Sequence, residues 1–148
     1  MIDQGSVYEV AVRFAAIAHD GQADKAGAPY IEHALRVAAR LDDETEKAVA
    51  VLHDVLEDTA TTETQLRAVF SERVVRAVVV LTRRDDEPSE VYYDRVRTDP
   101  VALAVKYADI HDNLDPTRLR LLDPSEVSRL RRKYGEALVR LADGATSA

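Results

Sequence analysis

The segment of this chain best equipped for chemistry is Leu52-His53-Asp54-Val55-Leu56-Glu57-Asp58-Thr59. On a helix, positions 53 and 57 are one turn apart, as are 54 and 58, and 54 and 57 are also surface neighbours, so all four polar side chains can face one pocket. Adjacent His and Asp beside two further carboxylates, at the end of an apolar helix, are costly to bury unless a cation or a hydrogen-bond network compensates them. A bound metal is the simplest such compensation. A His-Asp pair alone would not carry that inference, but two more residues of suitable type lie in apolar helical stretches: His33 in Pro29-Tyr30-Ile31-Glu32-His33 and Asp109 in Val105-Lys106-Tyr107-Ala108-Asp109. Two imidazoles and two carboxylates make a mononuclear site. The chain contains no cysteine, so any metal is held by nitrogen and oxygen, which points to Mn²⁺ or Fe²⁺ and also allows Zn²⁺.

The elements that must position these residues read as helices from end to end, with strand patterns nearly absent. Ser6-Val7-Tyr8-Glu9 is a capping box that opens a first helix, apolar at Val7, Val10, Ala11, Phe14, Ala15 and Ala18 and ended by Gly21. A polar loop from Asp20 to Ala28 follows, and Pro29 enters the first turn of the helix that carries His33. Asp43-Glu44-Thr45-Glu46 opens a third helix, apolar at Ala48, Val51, Leu52, Val55 and Leu56 and running through the His-Asp pair. Thr62-Glu63-Thr64-Gln65 opens a fourth. The apolar run Val74, Val75, Val78, Val79 and Leu81 is read as helix because no partner strand flanks it. After a charged break at Arg83 to Glu87, a short helix spans Val91 to Arg97, Asp99-Pro100 caps the helix bearing Asp109, and Asp123-Pro124-Ser125-Glu126 opens a last helix closed by Gly144.

Length and composition set the limits. With 148 residues and 46% hydrophobic content, the chain is expected to form a single domain over 1–148 with one core. A net charge of −7 argues against a polynucleotide partner, which needs a basic face to displace counterions. A small anionic substrate is compatible, since a dication and a few local cations can reverse the field inside one pocket. Met1-Ile2-Asp3-Gln4-Gly5 carries no leader pattern and no apolar run is long enough to cross a bilayer, so a cytoplasmic protein without membrane association is expected. Exposed faces are too charged to nominate an interface, and oligomeric state is not readable.

The order H…HD…D resembles the HD phosphohydrolase superfamily, and longer strings resemble the hydrolase domain of RelA/SpoT-type alarmone enzymes and the small stand-alone alarmone hydrolases. Those strings are AHDGQADKAGAPYIEHALRVA at 18–38, LHDVLEDTATT at 52–62 and VKYADIHDNL at 105–114, with LT at 81–82 between them. The resemblance implies an all-α, compact multi-helix bundle that binds one Mn²⁺ and hydrolyses the 3′-pyrophosphate of guanosine tetra- and pentaphosphate. It implies His33, His53, Asp54 and Asp109 as metal ligands, Glu57 and Asp58 as the catalytic acid pair, and Asn113 as a substrate-positioning residue. Asp109 and Asn113, four apart on one predicted helix, independently share a face. Without a function, Glu57 and Asp58 would be acids at the unfavourable end of a helix dipole.

Lys25 and Lys106 are candidate phosphate contacts, and Tyr30 a candidate lining residue. His19 is expected to fix the following loop by a hydrogen bond, and His111 to be exposed. Two departures from the family stand out. Asp24 occupies a position where the family commonly has an arginine associated with stacking on guanine, a role no carboxylate can take; Ser71 stands where glycine usually follows the phenylalanine of a helix turn. The first departure keeps open a phosphohydrolase or phosphatase acting on another nucleotide, alongside a catalytically silent nucleotide-sensing domain. No synthetase domain is expected within these residues.

Overall fold

Side-chain oxygens set where the helices begin. The Ser6 hydroxyl accepts from Glu9 N–H, the Asp43 carboxylate from Glu46 N–H, and Thr62 and Gln65 complete a reciprocal capping box. In the computed structural model, which describes residues 5–146, ten helices follow from these and similar starts: α1 (Val7–Ala18), α2 (Tyr30–Ala39), α3 (Glu44–Leu52), α4 (Val55–Asp58), α5 (Glu63–Arg67), α6 (Glu72–Leu81), α7 (Ser89–Arg97), α8 (Pro100–Asn113), α9 (Pro116–Leu119) and α10 (Pro124–Thr146). The described residues contain no strand beyond an isolated bridge between Ala23 and Pro29. Met1 to Gln4, where the leader pattern was sought, lie outside them.

Helix α3 is the centre of the bundle. Ala48, Val49, Ala50, Val51 and Leu52 are all buried, because α3 packs against α1, α2, α6 and α8 at once. A helix apolar all round can only sit inside. Fully burying Leu52 alone stabilises the fold by roughly 1.5–3 kcal/mol, and this anchored helix delivers the His-Asp pair at its C-terminal end. The valine-rich segment is helical, as expected, with Val74, Val75, Ala77, Val78 and Leu81 of α6 turned inward.

The third predicted helix does not run through Asp58. It ends at Leu52, His53 caps it, and Asp54 (φ −108, ψ 4) breaks the path before α4 resumes. Three smaller differences have local causes. Helix α1 stops at Ala18 with His19 as its C-cap, two residues before the positive-φ Gly21. Pro29 serves as N-cap rather than first-turn residue, and α10 continues through Gly144 to Thr146. Ser71 accepts from Val74 N–H as the N-cap of α6, so the departure from glycine supplies a helix cap. Helix α9, absent from the sequence reading, begins with Asp115-Pro116, the same Asp-Pro device as Asp99-Pro100.

Candidate metal centre

Helices α2, α3 and α8 carry His33, His53 and Asp109 inward to one point. All three are buried, and one ligand atom from each lies within 4.8 Å of the others. His33 Nε2 is 2.9 Å and His53 Nε2 3.4 Å from the same oxygen, Asp109 Oδ1. The Asp54 Oδ2 atom is 3.2 Å from His53 Nε2 and accepts from the Tyr30 hydroxyl. Asp54, Glu57 and Asp58 form an adjoining carboxylate cluster, open to solvent at its outer side.

The far nitrogens of the imidazoles determine what the near ones do. His53 Nδ1 lies 2.5 Å from the Ala50 carbonyl, which can only accept, so Nδ1 bears the proton. In the neutral ring, Nε2 is then a lone pair facing carboxylates, and this buried atom has no hydrogen-bond partner among the described residues. His33 repeats the arrangement: its Nδ1 donates to Asp112 Oδ2 at 2.7 Å, leaving Nε2 towards Asp109. A lone pair aimed at carboxylates calls for a cation between them. Burial disfavours the imidazolium of either histidine, but Asp54 and Asp109 hold the His53 pKa well above its ordinary value, and Asp109 with Asp112 raises that of His33. The donor set fits a divalent metal held through nitrogen and oxygen.

Behind His33 stands a supporting layer missed in the sequence. Asp112, only 1% exposed, also accepts from Arg36 Nε at 3.1 Å and from Arg118 Nη1 at 3.0 Å. A carboxylate behind a ligating imidazole fixes its ring and tautomer. Its signal was present in the spacing: Arg36 follows His33 by three, and Asp112 follows Asp109 by three, so each pair shares a helix face.

Burial tends to raise the Asp109 pKa, but Lys106, His53 and His33 hold it well below the usual carboxylate range. The Lys106 ammonium lies 3.2 Å from Asp109 Oδ2 and 5.2 Å from the Tyr92 ring centre. Asn113 Nδ2 donates to Asp109 Oδ1 at 3.2 Å. Asp54 is held at about 2 despite burial, chiefly by His53. Burial, Asp54 and Glu57 push Asp58 the other way, up to about 6. Two carboxyls four residues apart are thus separated in proton affinity by their surroundings, Asp54 held down beside His53 and Asp58 pushed up beside Asp54 and Glu57.

These groups open onto a cavity of about 380 Å³, lined also by Asp24, Lys25, Arg118, Lys133 and the apolar Leu119, Leu122 and Leu130. A larger groove of about 660 Å³ between α7 and α10 has no His or Asp in its wall. Every predicted site residue except His53, which lies buried behind the wall, lines the smaller cavity. Lys25 turns to Glu126 at 2.5 Å. Asp24 is a loop-building residue: Oδ1 accepts from Ala26 and Ala28 N–H, and Oδ2 accepts from Arg118 Nη2 at 3.2 Å. Its charge is therefore compensated. His19 is buried, with Nδ1 3.0 Å from Gln22 Oε1, and Gln22 in turn donates to the Asp58 carbonyl, tying the loop to α4. His111 is exposed.

A helical bundle that closes two buried histidines and a buried aspartate around one point, with a His-Asp pair at a helix break, defines a class of metal-binding helical domains. The chain belongs to the HD domain family, whose model matches residues 11–100. HD domains bind divalent metals. A guanosine-3′,5′-bis(diphosphate) 3′-pyrophosphohydrolase of Aquifex aeolicus (strain VF5) is 38% identical over 117 residues, covering 70% of this chain and 17% of that protein. A probable GTP pyrophosphokinase of Mycobacterium leprae (strain TN) is 31% identical over 150 residues, covering 93% of this chain and 19% of its own length. The chain thus spans less than a fifth of either relative. A solved structure of a metazoan ortholog of SpoT, described as hydrolysing ppGpp with a role in starvation responses, matches with a TM-score of 0.75 and 23% identity, covering 99% of this chain and 89% of that one. That likeness is one of fold.

Proposed function

We propose that this chain is a metal-dependent 3′-pyrophosphohydrolase of (p)ppGpp-type nucleotides, a single HD phosphohydrolase domain over 1–148 that works in the cytoplasm with Mn²⁺. The observation that carries this reading is the convergence of His33 Nε2, His53 Nε2 and Asp109 Oδ1 beside the Asp54, Glu57 and Asp58 carboxylates on one cavity. His33, His53, Asp54 and Asp109 are the ligands in this account. Held there, a divalent cation supplies a Lewis acid that lowers the pKa of bound water and polarises a phosphoryl oxygen.

The chain's own groups do the rest. Hydrolysis at the 3′-phosphorus takes a proton from the attacking water and returns one to the departing ribose 3′-oxygen. Asp58, with its carboxyl near 6, can accept the first as a carboxylate and pass a proton on. Glu57, whose Oε1 accepts from Arg83 N–H at 2.9 Å, is held in place to orient the water. Asn113 and Lys106, both bonded to Asp109, position substrate oxygens around the ligand set, and Tyr30 keeps Asp54 oriented.

One observation favours a second reading, hydrolysis of a different nucleotide: Asp24 and the Arg118 it engages stand at the cavity wall where a free arginine would otherwise meet the base. The test is pyrophosphate and phosphate release from ppGpp, ppApp, GTP, ATP and deoxynucleotides with Mn²⁺, comparing the wild type with Asp54→Ala. Pyrophosphate from ppGpp by the wild type alone is expected. Orthophosphate from another nucleotide, with ppGpp untouched, moves the assignment to that substrate.

A further inference from the structure

Helix α4 carries both proposed catalytic acids on a single turn, between the break at Asp54 and the extended backbone of Thr59 (φ −132, ψ 176). Val55 anchors its start in the core, but Glu57 and Asp58 at its end are exposed, so apolar packing does not fix them. A helix this short also leaves its last carbonyls without partners of its own. The Asp58 carbonyl finds one 36 residues back in the chain, where Gln22 Nε2 donates to it at 2.9 Å. That amide is oriented at both ends. A carbonyl can only accept, so the nitrogen faces Asp58, and Oε1 accepts from His19 Nδ1 at 3.0 Å. His19 is itself buried as the C-cap of α1, with its ring centre 4.5 Å from that of Tyr30.

The main chain of Gln22 completes the tie. Its N–H donates to the His19 carbonyl at 3.0 Å, and its own carbonyl accepts at 2.9 Å from the N–H of Tyr30, the first residue of α2. One residue thus joins the end of α1, the start of the helix that carries His33, and the end of the turn that carries Asp58. Gln22 does not line the cavity, so its influence on the chemistry passes through α4. We propose that Gln22 is a positioning residue for the hydrolysis: its side-chain amide holds Asp58 at the reach from which the carboxylate takes a proton from the attacking water. A base must stand within hydrogen-bond reach of that proton, and a displacement of about 1 Å can cost on the order of 10²-fold in rate. This assignment rests on the hydrolase reading and adds to it the residue that places its base.

The test uses Gln22→Ala, which removes both side-chain bonds, and Gln22→Glu, which keeps the length and the acceptor for His19 but turns an oxygen towards the Asp58 carbonyl. In metal-free protein, NMR hydrogen exchange follows the Asp58 N–H, which donates to the Asp54 carbonyl at 2.9 Å. Its exchange is expected to quicken about tenfold in Gln22→Glu while the amides of α3 keep their wild-type rates. In Mn²⁺-loaded protein acting on ppGpp, both variants are expected to lower kcat about tenfold and to leave KM and Mn²⁺ affinity within about twofold. In an Asp58→Asn background, Gln22→Glu should lower kcat no further, because its effect passes through Asp58. Unchanged exchange at Asp58, or a loss of kcat that adds in full to that of Asp58→Asn, overturns the assignment and leaves the hydrolase reading intact. A wild type that releases no pyrophosphate from ppGpp overturns the hydrolase reading, and the positioning role falls with it.

Discussion

At the residue scale, Asp58 sets a conflict between folding and chemistry. Burial, Asp54 and Glu57 raise its carboxyl to about 6 from an ordinary 3.8. A folded-state pKa above the unfolded one means that the protonated form is the one the fold favours. The associated stability is fully present below the unfolded pKa and is lost as pH rises through about 6. Asp58→Asn imitates the protonated form, so in metal-free protein it should raise Tm at about pH 7.5 and leave it unchanged at about pH 4. The same substitution removes the proposed base and should lower kcat by about 10²–10⁴. A melting temperature that does not respond at either pH, measured by circular dichroism in chelator, contradicts the assignment. The residues bearing this chemistry were visible in the sequence because His, Asp and Glu at helical spacing inside apolar stretches demand compensation. Asp112 escaped notice because a single aspartate six helices on from its partner, His33, looks like any other surface acid until the fold brings α2 against α8.

At the element scale, capping decides where the side chains point. Asp99 caps α8 by accepting from Val101 and Ala102 N–H, and its two oxygens also take a bidentate contact from Arg73, each at 3.0 Å. Asp99→Ala removes the cap and the carboxylate partner of the partly exposed Arg73, and is expected to cost about 0.5–2 kcal/mol, chiefly through the lost cap. Urea unfolding at neutral pH checks this, and a loss under about 0.5 kcal/mol would mean that α8 is held by packing alone. Helix starts were legible throughout, since Ser, Thr and Asp announce themselves chemically. The interruption at His53-Asp54 was not, because Val55 and Leu56 continue the apolar period and periodicity is blind to one residue's backbone angles. The four-residue α9 is too short to show a period at all, so Arg118, which links the Asp24 loop to Asp112, remained unread despite its Asp-Pro signal.

At the scale of the whole molecule, the proposed reaction would have a chain of net charge −7 draw an anion into a cavity walled by Asp24, Asp54, Glu57, Asp58 and Asp109. Bulk charge works against this, so the field has to be reversed locally. Lys25, Lys106 and Arg118 already pair with internal acids, so on the proposed reading a bound dication would be the main source of the reversed field. Charge composition alone argued only against a polynucleotide partner; which cations are paired depends on contacts between residues as distant in sequence as Lys25 and Glu126. The account therefore stands on the metal. Metal-stripped protein should be titrated with Mn²⁺ while binding and pyrophosphate release from ppGpp are followed together. One Mn²⁺ per chain, with activity rising in step with occupancy and both lost in His53→Ala, is the predicted result. Hydrolysis that persists in the stripped protein, or that is unaffected when binding is abolished, would contradict it.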